Sequence, residues 1–320
     1  MRLASVLTPL SDENLQLAAQ CGVTDIVARY PQGGRAELQQ LQQRIASFGM
    51  QLAVVEGYLP IENIKIGADD GTELGRVIQL LHDMQELGLS LLCYNFMAGT
   101  DWVRTRLDAP ERAGAKVTAF NLREVERAMS LSKTASTVDH RPIAAPALWD
   151  HLERFLNAVI PVAEKCGVTM AMHPDDPPLP EFLGKARIMN NVENFERLMQ
   201  LVPSPRNAIC FCQGTFAEMG VDIPAAIRRL GPHIKYVHFR DVRGTCDNFA
   251  ETFHDNGPTD MAEAMRAYRD IGFTGPMRPD HVPQLVGEDD GEPGYTILGR
   301  LFAFGYMRGL IQAVTSEAPC

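Results

Sequence analysis

The chain has 320 residues, of which 45% are hydrophobic and 22% charged, an ordinary globular balance with enough apolar side chains for a sizeable core. Asp plus Glu number 40 and Lys plus Arg 30, a formal net charge of −10 with no basic run, which argues against a nucleic-acid-binding face. No apolar stretch approaches the roughly 20 residues needed to span a bilayer, and the opening MRLASVLTPL is interrupted too soon for a signal peptide.

From the N-terminus, short β runs alternate with amphipathic helical stretches. LASVLT (3–8) precedes SDENLQLAAQ (11–20), where Ser11 is an N-cap candidate with acids in the first turn. VTDIVARY (23–30) precedes AELQQLQQRIASFG, which ends on Gly49 as a C′ residue would. QLAVVEG (51–57) precedes the helical 72–88, and LSLLCYNF (89–96) is the fourth β run. The fifth is VTMAMHP (168–174), the sixth NAICFCQG (207–214), the seventh IKYVHFRD (234–241) and the eighth GPMRPDHVP (275–283). The segment 296–314 supplies a last helix.

Eight such units predict a single-domain (β/α)8 TIM barrel over residues 1–320. The alternative, an open doubly wound sheet, lacks a glycine-rich phosphate loop after any strand. One segment breaks the repeat. Residues 97–145 form an insertion after the fourth strand, expected to be a lid or a subunit contact, with AGAKVTAF as an added strand and NLREVERAMSLS as a helical piece. The seven cysteines are odd in number and follow no disulfide spacing, so a reduced, cytoplasmic protein is expected.

The β runs are apolar except at their C-terminal ends, where a barrel of this kind carries its active site. Four potential ligands stand there on consecutive strands: His173, Cys212, His238 and Asp280. Two imidazoles, a thiolate and a carboxylate suit a divalent metal. Any one of them alone reads more readily as a structural residue; their equivalent placement makes the set. Cys210 shares a strand face with Cys212 but lies one layer deeper, so Cys212 is preferred. His254 reads equally as a substrate contact or a turn residue. Asp280 and His281 adjoin, between Pro279 and Pro283. Neighbours on a strand face opposite ways, so the two need not serve one partner.

The blocks HPDDPP, FCQGT, HFRDVRG, FHDNG, RPDHVP and GYTILGRLFAFGYMRGL resemble the mannonate dehydratase family, of the xylose-isomerase-like barrel group, as do VVEGYLPIENIKIG and CYNFMAGTDWVRT. The resemblance spans nearly the whole chain. It implies dehydration of D-mannonate to 2-keto-3-deoxy-D-gluconate in hexuronate catabolism, with Mn²⁺ or Fe²⁺ on His173, Cys212, His238 and Asp280. It also implies that His281 and Tyr295 form the acid/base pair, leaving open which is which. A tyrosine acts as base only if a nearby cation lowers its pKa. Arg240, Arg243, Arg278 and Lys65 are candidates to hold the substrate's carboxylate or hydroxyls. The chain departs from the family at Ile61, where a His is usual, and at Ala98-Gly99-Thr100, in place of Pro-Val-Phe. Alternatives are a dehydratase of a related sugar acid, a metal-dependent sugar isomerase or epimerase, and a sensing barrel without activity. The thiolate ligand and the Asp-His pair argue against an isomerase. A small-molecule substrate and a homo-oligomer, by default a dimer, complete the expectation.

Overall fold

The computed structural model describes residues 1–99, 102–130 and 141–317. Eight parallel strands close into a barrel: Arg2–Ser5, Asp25–Ala28, Gln51–Glu56, Leu91–Tyr94, Thr169–Met172, Asn207–Cys212, Ile234–Phe239 and Pro276–Pro279. Each pairs with its neighbours in sequence, and the first closes on the eighth through Arg2 beside Pro276. The eight predicted β runs are these eight strands, the first starting one residue earlier than expected and all ending short of the predicted run. Their near-continuous burial reflects coverage on both faces, by helices outside and by packed side chains within. Among the described residues, no helix is long and apolar enough to cross a membrane.

The helices follow their sequence signals. Ser11 caps Asp12–Gln20 by accepting a hydrogen bond from Asn14 N. After the insertion, Ala145–Cys166 runs along the barrel with its apolar face inward and stops at Gly167, whose φ is 69°. The barrel interior is filled by small and mid-sized side chains, among them Ala4, Val27, Val54, Ala171 and Cys210. Cys210 thus lies in the packed layer below the strand ends, where burial raises its thiol pKa well above the ordinary value.

The described part of the insertion carries four short strands. Residues Arg106–Pro110 and Lys116–Asn121 form an antiparallel hairpin, and the second of these is the strand anticipated in AGAKVTAF. Beside it lies a second hairpin, Val242–Thr245 and Asn248–Glu251, which rises after the seventh barrel strand. Phe249 pairs with Phe120, so the two hairpins make one four-stranded sheet standing on the barrel mouth. A small apolar core of its own, including Phe120, Phe182 and Phe249, ties that sheet down.

The helical piece expected in NLREVERAMSLS is present over only part of its length, and in 3-10 form. Residues Leu122–Arg127 are a 3-10 turn that Asn121 caps, and Met129–Ser130 continue as a strand paired with Val103–Arg104. Leu122 N is held by Asp247 O at 2.8 Å, and pairing on both sides leaves no room for an α-helix to extend. The end of this piece, from residue 131, lies outside the described residues.

Gly244, in the first strand of the second hairpin and paired with Phe249, has φ 117°, and a Cβ there would overlap the Asn248 carbonyl oxygen. The substitution Gly244→Ala is expected to destabilise the protein by about 1–3 kcal/mol, read as a lowered urea midpoint at unchanged m.

Candidate active site

The four predicted ligands meet at the mouth of the barrel. His173 follows the fifth strand, Cys212 ends the sixth, His238 is the penultimate residue of the seventh, and Asp280 follows the eighth. Register aligns them, since Cys212 pairs with His238 and His238 with Arg278. Donor atoms of His173, Cys212 and His238 all lie within 4.8 Å of one another. Asp280 Oδ2 is 3.7 Å from Cys212 Sγ and 3.9 Å from His238 Nδ1. All four are buried.

Hydrogen-bond partners fix the imidazoles. The Pro174 carbonyl lies 2.7 Å from His173 Nδ1 and can only accept, so that nitrogen carries the proton and Nε2 keeps its lone pair. Burial lowers the pKa of His173, which keeps the ring neutral, as a ligand must be. Glu56 Oε2 lies 3.1 Å from His238 Nε2, which places the proton there and the lone pair on Nδ1, beside Arg278 and Asp280. A carboxylate behind an imidazole is the usual support of a metal-binding histidine. Thr215 Oγ1 donates to Cys212 Sγ at 3.2 Å. This donor set fits a divalent transition metal.

Glu56 was not singled out in the sequence, although it is the one acid closing an otherwise apolar strand. It accepts from Tyr236 Oη at 2.6 Å, from Arg278 Nη2 at 2.7 Å and from Arg29 Nη1 at 3.1 Å. Burial opposes its charge, but Arg278, His238 and Arg29 outweigh that and hold its pKa well below the ordinary value. Asp280 is ionised on the same terms. Burial would raise its pKa, and Arg278, His281, His238 and Arg240 together bring it well below normal.

The cations proposed to grip substrate are engaged elsewhere. Arg278 bridges Glu56 and Asp280. Arg240 is buried among Asp176, Glu218 and Glu251. Lys65 donates to Glu62, Asn95 and Met97 O. Arg243 lies half-exposed beside Glu111 and Asn256 O. A buried cation stays only where anions surround it, so Arg278, Arg240 and Lys65 are built into the frame, while Arg243 is a surface pair. Arg29, instead, is 30% exposed at the cleft and faces the rings of Tyr58 and Tyr295, its Cζ 5.1 and 5.7 Å from their centroids. His254 donates from Nε2 to Phe239 O at 2.8 Å, and burial drops its pKa to about 4.

His281 and Tyr295 stand together, ring centroids 5.5 Å apart. An antiparallel bridge joins Val282 to Gly294, Val282 N donating to Gly294 O at 2.9 Å, and so brings the loop of Tyr295 back against the eighth strand. Both residues line a cleft with Arg29, Glu56, Tyr58 and Trp102. Burial raises the Tyr295 pKa, and Asp280 adds to this; Arg29 and Arg278 oppose it without prevailing. The phenol is therefore protonated near neutral pH. Trp102, from the insertion, sits edge-on to His173 at 6.0 Å and to Tyr58 at 6.3 Å. Glu251 Oε1 lies 2.8 Å from His281 Nδ1, and Arg104 Nη2 lies 3.3 Å from the same nitrogen. Sequence reading reached neither of these two, which come from the accessory sheet and the strand beside it.

A family model described as D-mannonate dehydratase (UxuA) matches residues 9–319. Mannonate dehydratase 2 of Halalkalibacterium halodurans is 33% identical, covering 94% of this chain and 94% of that protein. The mannonate dehydratase of Streptococcus uberis is 32% identical, covering 97% and 96%. Among solved structures, the mannonate dehydratase from Streptococcus suis serotype2 superimposes with a TM-score of 0.90 at 27% identity, over 100% of this chain and 97% of that one. A D-tagatose 3-epimerase-like protein shares the fold alone, at a TM-score of 0.64 and 12% identity. By the extent of the family match and the identity to its members, the chain belongs to the D-mannonate dehydratase family.

Proposed function

We propose that this protein is a metal-dependent hydro-lyase that converts D-mannonate to 2-keto-3-deoxy-D-gluconate. The observation that carries this reading is the meeting of a four-donor cluster with a histidine–tyrosine pair in one cleft, in a chain of this family. His173, Cys212, His238 and Asp280 would hold the ion, Mn²⁺ or Fe²⁺. When bound, the ion supplies Lewis-acid stabilisation for negative charge that builds on the substrate's carboxylate.

The chain's own residues handle the protons. C2–H is weakly acidic, and a base must take its proton while an acid protonates the departing 3-hydroxyl. His281 is the base in this reading. Its Nδ1 is tied to Glu251, and no described residue bonds Nε2. Tyr295 is the acid, since its environment keeps the phenol protonated. Loss of water leaves an enol, which tautomerises to the 2-keto acid. Arg29 at the cleft wall can meet the substrate's oxygens. The enzyme works in the cytoplasm in this reading, as a homo-oligomer. The epimerase-like neighbours support the fold and nothing more.

Three tests follow from the site. Chelation should abolish activity and Mn²⁺ or Fe²⁺ restore it, in an assay of six-carbon aldonates for 2-keto-3-deoxy product; turnover of another acid with none of mannonate would remove the substrate while keeping the chemistry. Cys212→Ala should purify with reduced metal content, and a full complement of ion would remove Cys212 from the ligand set. Tyr295→Phe and His281→Asn should each lower kcat by about 10²–10⁴-fold with metal retained; an unchanged kcat in either excludes that residue from proton transfer.

A further inference from the structure

We propose that Glu251 is the positioning residue of His281, forming with it a carboxylate–imidazole dyad in which Glu251 fixes the tautomer and orientation of the ring. The inference rests on the reading of His281 as the base. It adds a member to the proton-transfer machinery that comes from outside the barrel strands.

The tautomer follows from counting hydrogens. His281 Nδ1 has two neighbours, Glu251 Oε1 at 2.8 Å and Arg104 Nη2 at 3.3 Å. Arg104 Nη2 carries two hydrogens. One is directed to Asp176 Oδ2 at 3.0 Å and the other to Glu251 Oε1 at 2.9 Å. That nitrogen has no third proton for the ring. An ionised carboxylate only accepts, and burial notwithstanding, Arg240, His281 and Arg104 hold the Glu251 pKa at about 2. Nδ1 is thus the donor, and Nε2 is left as the basic nitrogen.

Glu251 is itself held still. Arg104 and Arg240 both donate to Oε1, and both also bind Asp176, whose carboxylate spans them from the other side. Two guanidinium groups and two carboxylates make a buried, closed frame around one oxygen. Oε2 has no partner among the described residues. Three donors on one oxygen and none on the other hold the carboxylate for the ring rather than for its own full solvation, an arrangement a purely structural acid has no reason to keep.

In the step, the C2–H bond breaks and its proton goes to His281 Nε2, with the electron pair left on carbon. Nδ1 keeps its proton throughout. Glu251 stabilises the imidazolium so formed and is not itself protonated, and the ring later gives its new proton to solvent.

The test uses the full-length enzyme loaded with metal. Glu251→Gln keeps the shape and removes the charge, and Glu251→Asp keeps the charge and withdraws the oxygen by one methylene. Each is expected to lower kcat roughly 10–100-fold at unchanged KM. In a His281→Asn background, Glu251→Gln should add no further loss, because the residue acts through the ring. An undiminished kcat in both Glu251 variants, or an equal loss in the His281→Asn background, overturns the dyad. Full activity in His281→Asn itself defeats the base assignment instead, so the two failures are distinguishable. Should the variants not fold, ¹⁵N-histidine NMR of the wild-type protein loaded with Zn²⁺ decides. A proton on Nδ1 of His281 supports the dyad, and a proton on Nε2 overturns it.

Discussion

The guanidinium of Arg278, wedged between Glu56 and Asp280, is the contact on which the site depends. It helps two buried carboxylates stay charged at the foot of the cleft. It is the first of the cations that hold the Glu56 and Asp280 carboxyls well below their ordinary pKa against burial, and Glu56 in turn accepts from His238. Breaking a buried pair of this kind costs about 3–5 kcal/mol, mostly from the charge left behind. The same side chain that orders the mouth of the barrel also sets the electrostatic state of two groups on opposite sides of the donor cluster.

A second set of charges stands above the first. Arg104 and Arg240 share Asp176 and Glu251, and Glu251 meets His281, so one ionic frame lies beside the donor cluster and another beside His281 and Tyr295. Asp280 joins the two, since it contacts both Arg278 and Arg240. The adjacent Asp280 and His281 therefore face different partners.

The barrel was legible in the sequence because its signals are local. Most of the apolar runs carry a polar residue at or near their C-terminal end, and its placement there follows from the run itself. His173, Cys212, His238 and Asp280 could be placed together once eight strands were counted. Glu56 was within reach by the same logic, as an acid at the end of the third strand. Glu251 and Arg104 were not, for they lie 147 positions apart and meet only because two hairpins pair across the barrel mouth. Local pattern carries no record of such a pairing. The 3-10 turn at 122–127 shows the same limit, since a stretch with helical composition yielded to strand pairing on either side. The cations presented the reverse difficulty: four basic residues suggested substrate binding, and what they bind is decided by which acids are buried near them.

The loops of a barrel are ordinarily treated as separable parts, each free to be exchanged while the strands stay fixed. The four-stranded sheet above this barrel removes that freedom for two of them. The insertion after the fourth strand and the hairpin after the seventh share a ladder and an apolar core. Length changes in one loop must be matched in the other, or the ladder slips and every side chain on it changes face. Any recombination of this barrel with a relative would have to carry both segments together, as a single inherited unit drawn from two distant stretches of the chain.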